Sequence, residues 1–138
     1  MSGTAGTTEQ SWLNLLLFSV GKACFGVDLE QIDGMAEHSG ELAADLHWLH
    51  EALGFGDEPT PYRLPRVLSI KTDSGQPYRV IIDNMEEIAE FRWTDITPFP
   101  ALLEPQILKR GMWGVVQRDG QIILLVDFQR IARNILNP

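Results

Sequence analysis

Residues 12–29, WLNLLLFSVGKACFGVDL, decide how the rest of the chain is read. Trp12 to Val20 is almost wholly apolar or β-branched, Gly21-Lys22 makes a two-residue break, and Ala23 to Leu29 resumes the apolar character. Two such runs around a short glycine-containing break predict a β-hairpin. In its second arm Phe25, Val27 and Leu29 alternate with Cys24, Gly26 and Asp28, so one set faces a core and the other faces polar surroundings or a tight packing contact. On that pattern Cys24 is a small residue beside a sheet and not a nucleophile.

Working outward, two more hairpins follow the same logic. Val67 to Thr72 and Tyr78 to Asp83 flank the turn-forming Asp73-Ser74-Gly75-Gln76, and Trp113 to Gln117 and Gln121 to Asp127 flank Asp119-Gly120. Each has a buried face too small to stand alone, so the two are expected in separate barrels. Met85 to Trp93 fits a strand or a short helical turn, and strand is preferred. Between the first and second hairpins, Leu42, Leu46, Leu49 and Leu53 recur at helical spacing and Gly54 offers a stop, which predicts an amphipathic helix over Glu41 to Leu53. Pro59, Pro61 and Pro65 make Gly56 to Pro65 an extended connector. Pro98 and Pro100 interrupt Ile96 to Leu103, and Phe128 to Leu136, with Phe128, Ile131 and Ile135 on one face, predicts a closing helix.

The 138 residues suit one domain, expected over residues 12–138 behind a Gly-, Ser- and Thr-rich tail, residues 1–11, that has neither the basic start nor the apolar stretch of a signal peptide. At 44% hydrophobic and 22% charged the composition is that of a globular protein. A single cysteine excludes an internal disulfide framework and a zinc cluster of several thiolates, and fits a reducing, cytoplasmic setting. The formal charge of −8 repels phosphate backbones, so nucleic acid is not an expected partner. No apolar run approaches the roughly 18 residues that span a bilayer, so membrane insertion is not expected either. Charge is also uneven: Ala23 to Tyr62 holds nine carboxylates and no Lys or Arg, a solvated acidic surface or a docking face for a basic partner.

Chemistry is sparse. His47 and His50 stand three apart on the expected helix beside Glu51, enough for two ligands of a metal site that needs three or four. At the edge of the leucine stripe they read as surface histidines; a metal- or small-molecule-binding domain centred on them is the rival reading. Glu86, Glu87 and Glu90 lack the spacing of a calcium loop, and no Gly-x-Ser-x-Gly or phosphate-cradling glycine loop is present. No catalytic, cofactor or metal residue is therefore assigned, and the chain does not read as an enzyme. Trp48, turned away from the leucine stripe, is the candidate interaction anchor.

At several places the residues resemble one family. Leu15-Leu16-Leu17-Phe18-Ser19-Val20-Gly21-Lys22, with Phe25-Gly26-Val27-Asp28 and Ile32, resembles the opening of CheW-like domains. Arg79-Val80-Ile81-Ile82-Asp83-Asn84-Met85-Glu86-Glu87-Ile88 is similar to that family's Val-Asp-x-Val-x-Glu-Val strand, and Asp95 to Pro100 to the Ile-x-Pro-x-Pro segment after it. Gly114-Val115-Val116 through Asp119-Gly120 to Leu124-Leu125-Val126-Asp127-Phe128 resembles its closing hairpin. The resemblance implies a mainly β fold of two SH3-like β-barrel subdomains, one of them open to truncation, with a short central helix and a C-terminal helix. It further implies a noncatalytic, cofactor-free, cytoplasmic adaptor in bacterial signalling, coupling a chemoreceptor to the regulatory domain of a histidine kinase. An alternative is a divergent domain that self-associates as a regulatory scaffold outside chemotaxis.

One segment departs from the family. Gly34 to Asp45 holds neither Arg nor Pro, so the family's Asn-x-Arg-Gly turn is missing and a length of strand with it. The helix over Glu41 to Leu53, or a second copy making a homo-oligomer, is expected to cover the gap, with Leu42, Leu46, Trp48 and Leu49 as the partner-binding residues.

Overall fold

The computed structural model describes residues 12–54, 62–102 and 110–136. The first hairpin is β1 (Trp12–Val20) and β2 (Ala23–Asp28). A 3₁₀ turn at Leu29–Gln31 leads to β3 (Ile32–Glu37), and β4 (Leu46–Trp48) runs directly into the one-turn α1 (Leu49–Ala52). Then come β5 (Arg66–Ile70), β6 (Arg79–Ile82), β7 (Met85–Arg92), β8 (Met112–Arg118), β9 (Gln121–Val126) and the closing α2 (Phe128–Leu136).

The strands form two sheets. The larger has the order β7-β1-β2-β9-β8 and so draws on both ends of the chain, while the smaller, β3-β5-β6-β4, is built from the middle. As expected, the β5–β6 and β8–β9 hairpins fall in different sheets. The tight β8–β9 turn works because Asp119 and Gly120 both take positive φ, 52° and 78°, the geometry whose twist matches an antiparallel pair.

β1 explains why its sequence is a solid apolar run and not an alternation. Leu16 and Phe18 point into a core shared with β2, the small sheet and α2, whereas Leu13, Leu15 and Leu17 fill the interior of the large sheet with Phe91, Val116, Ile123 and Leu125. A strand buried on both faces has no polar side to show. The shared core joins Phe18, Phe25 and Val27 of one sheet to Leu68, Ile70, Val80 and Ile82 of the other, with Leu49 and Leu53 from the α1 turn and Phe128 and Ile131 from α2. Gly26 sits in the middle of this arrangement, where an added Cβ would press on Ile123 and Leu125 at 3.3 Å.

The expected helix over Glu41 to Leu53 is corrected: only Leu49–Ala52 is helical, and Leu46–Trp48 is a strand paired in parallel with β6. The leucine spacing that suggested one helix is produced by a strand followed by a turn. Pairing with Arg79, Val80 and Ile81 satisfies the backbone of 46–48 and outweighs local propensity. The segment read as having lost a strand begins inside β3, which already supplies one edge of the small sheet. That sheet still has four strands against five in the other. The proline connector lies partly, and the N-terminal tail wholly, outside the described residues.

Phe18→Ala removes the ring that stacks on Phe25 and Phe128, and is expected to cost about 3–5 kcal/mol. Because both sheets rest on that core, urea denaturation followed by far-UV circular dichroism and by tryptophan emission should give one coincident transition at lower midpoint. Two separated transitions would contradict the shared core.

Candidate functional site

The four residues singled out from sequence do not form a common face. Leu42 is almost fully exposed in the connector before β4, Leu46 and Trp48 are half-buried in β4, and Leu49 is in the shared core. Trp48 is not turned to solvent as the helical reading required. Its indole lies edge-on to Tyr62, with ring centroids 4.8 Å apart, and edge-on to His38 at 5.5 Å.

The histidines are likewise engaged in packing. His47 stacks on Tyr78 with centroids 4.9 Å apart, and the Nδ1 of His50 lies 3.1 Å from the hydroxyl of Tyr62. That hydroxyl also accepts a 3.4 Å hydrogen bond from the backbone N–H of His50. His47 and His50 therefore diverge, one into the small sheet and one toward the connector. Among the described residues no group of three His, Cys, Asp or Glu side chains is placed to hold a metal ion. Burial pushes the Tyr62 phenol up to about 12, against the opposing pull of the His50 N–H.

A second polar device fixes the crossing between the sheets. Asp83, buried at the end of β6, accepts hydrogen bonds from the N–H groups of Arg63 (3.0 Å) and Leu64 (2.6 Å). Asn84 follows at positive φ, with its side-chain amide donating to the Ser19 hydroxyl at 2.8 Å and its N–H to the Leu64 carbonyl. Cys24, on β2, has its thiol pushed up by burial and by the nearby Glu86, which keeps it protonated and a poor nucleophile.

The large sheet presents the apolar surface that sequence reading missed. An open groove runs between β7, β8 and the Pro98–Pro100 segment, with Phe91, Phe99, Val115 and Ile122 along it. Thr97 and Val115 exchange two backbone hydrogen bonds of 2.8 and 2.9 Å, which pins the proline segment to the edge of β8. At the far side Arg118 donates to Glu87 at 3.1 Å and lies 5.9 Å from the Phe91 ring, spanning from β8 to β7. Ile122 on β9 and Ile88 on β7 are both more than half exposed. The signal available in sequence was the position of Ile122 in the outward half of the β9 alternation.

Two β sheets that share one core, the larger with a second interior of its own and an apolar groove at its edge strands, define a two-sheet β domain. The model of the CheW-like domain matches residues 34–136, and the chain belongs to that family. None of the curated proteins matches it. Among fifteen matching solved chains is the scaffolding protein TtCheW from Thermoanaerobacter tengcongensis, 14% identical over 86% of each chain with a TM-score of 0.66, a likeness of fold. No helix among the described residues is long and apolar enough to cross a membrane.

Tyr62 generates a titration prediction. Its raised value means that the neutral phenol stabilises the fold fully below about pH 10 and that this contribution is lost as pH rises through about 12. Burial raises Tyr78, the only other tyrosine, further still, so absorbance at 295 nm should show neither tyrosine ionising near 10, and Tyr62→Phe should remove the earlier of the two late steps. A phenol at position 62 titrating near 10 would contradict the packing of Trp48, His50 and Tyr62.

Proposed function

We propose that the chain is a noncatalytic, cytoplasmic adaptor that couples a chemoreceptor to the regulatory domain of a histidine kinase. Membership of the CheW-like family carries this reading. It is supported by where the chemistry-bearing side chains are spent: His47, His50, Tyr62 and Asp83 all serve packing or backbone hydrogen bonds. Residues 12–138 act as one unit in this reading. The contact surface is the groove beside β7 and β8, where Phe99, Val115 and Ile122 offer apolar anchors flanked by Glu90, Asp95 and Arg118.

The test is a pull-down of the kinase regulatory domain on the immobilised chain. The native chain is expected to retain it, and Ile122→Glu to weaken binding about tenfold or more, the scale of a buried anchor. Leu42→Glu probes the connector before β4 as a rival contact. Loss with Leu42→Glu and none with Ile122→Glu would move the interface to the small sheet.

A further inference from the structure

Where the two sheets meet beyond the end of β3, an open cavity of about 350 Å³ is lined by two arginines, Arg66 on β5 and Arg63 in the segment before it. Neither joins a carboxylate in an ion pair among the described residues. His38, the residue after β3, lines the same cavity, and its Nδ1 is enclosed with no hydrogen-bond partner among the described residues. An enclosed polar atom left unpaired is unfavourable, and with the ring proton on Nδ1 it offers a third donor beside the two guanidinium groups.

The backbone that carries the arginines is fixed before any ligand arrives. Asp83 accepts the N–H groups of Arg63 and Leu64, and the Leu64 carbonyl accepts the N–H of Asn84. Arg66 sits in the ladder between Glu37 of β3 and Ile82 of β6, and Pro65 restricts the turn that separates it from Arg63. A ligand that bridges the two therefore orders side chains and not a loop. The remaining walls are apolar: Leu64, which is 64% exposed, Pro65, and Met85 at the start of β7. Glu37 is the one carboxylate in the lining, opposite Arg66 and not paired with it. Two guanidinium groups against one carboxylate make the lining positive in a chain whose formal charge is −8. The adjoining Asp83 is buried and already accepts two N–H groups.

We propose that this cavity binds an oxyanion, the phosphate or carboxylate group of a small organic ligand, with Arg63 and Arg66 clasping its oxygens and Leu64, Pro65 and Met85 covering an aliphatic tail. Guanidinium groups match the spacing of such oxygens, and charge-assisted hydrogen bonds of this kind are the strong ones. The site shares no residue with the groove beside β7 and β8, and its test uses no kinase, so either reading can fail alone.

The test titrates inorganic phosphate, butyl phosphate and pentanoate separately into the isotope-labelled full chain at fixed ionic strength, with amide and methyl shifts recorded by NMR. Saturable shifts are expected at His38, Arg63, Arg66 and the Met85 methyl. Butyl phosphate should bind about tenfold tighter than inorganic phosphate, the scale of one or two shielded methylenes. Butyl phosphate and pentanoate carry the same butyl tail, so the tighter of the two identifies which oxyanion the site takes; the greater charge of the phosphate favours the first. Arg63→Gln with Arg66→Gln should weaken binding about tenfold or more. Glu37→Gln should tighten it about twofold to fivefold by removing the one negative charge in the lining. A merely structural role for the arginines would not produce that gain. The same spectra report whether each variant folds; if the double variant does not, the exposed Glu37→Gln and the position of the shifts on the native chain still decide. Shifts that never saturate, shifts centred away from Arg63 and Arg66, no gain with Glu37→Gln, or inorganic phosphate binding as tightly as butyl phosphate would overturn the proposal.

Discussion

Everything in this fold hangs on the stack of three phenylalanine rings at the meeting of the two sheets. Phe18 lies 5.6 Å from Phe25 and 6.4 Å from Phe128, nearly parallel to both, and all three are buried. The large sheet encloses one interior with its own strands, but the face it turns to the small sheet, and the small sheet itself, are covered only by each other and by α1 and α2 among the described residues. A sheet of four short strands buries too little to offset the entropy of ordering it. Joining the two around one aromatic centre lets each supply the cover that the other lacks, and it makes β1, apolar on both faces, the wall between two interiors.

The join is held in register by polar contacts at its rim. Gln31, in the 3₁₀ turn between the sheets, donates from its amide to Asp127 at 3.1 Å and accepts the N–H of Phe128 at 2.9 Å, while its carbonyl accepts the N–H of Lys71 at 2.8 Å. Asp127 also accepts the N–H of Arg130, satisfying a donor in the first turn of α2. One side chain thus ties the start of the small sheet to the start of the closing helix, and Phe128 is delivered into the stack by the same turn. On the opposite side Asp83 and Asn84 do the equivalent for the return from β6 to β7.

What the sequence disclosed followed how local its signals were. The three hairpins and the closing helix were legible because turn chemistry and periodicity lie within one segment, as at Asp119-Gly120. β7 was read correctly from mixed residues because its inward positions, Ala89 and Phe91, keep the strand period. The central helix was misread because Leu42, Leu46, Leu49 and Leu53 match a helical period by accident of a strand joining a turn. Nothing local announces that Leu46–Trp48 will pair with a strand more than thirty residues later. The orientation of Trp48 was misjudged for the same reason: it was assigned to solvent from a helix that does not form, and in β4 it packs on Tyr62 and His38. The groove beside β8 depends on Thr97 meeting Val115, a contact made only by the folded chain.

The two sheets protect their edges by different means. The large sheet blunts its outer strands with its own chain: the proline segment bonds to β8, a register shift interrupts β7 beside Phe18, and Arg118 reaches from β8 to Glu87. Among the described residues the small sheet has no such segment beside β3. Its outer strand carries Asp33 and Glu37 around a register shift at Ile32 and Gly34, charges and irregularity that oppose pairing with a like strand.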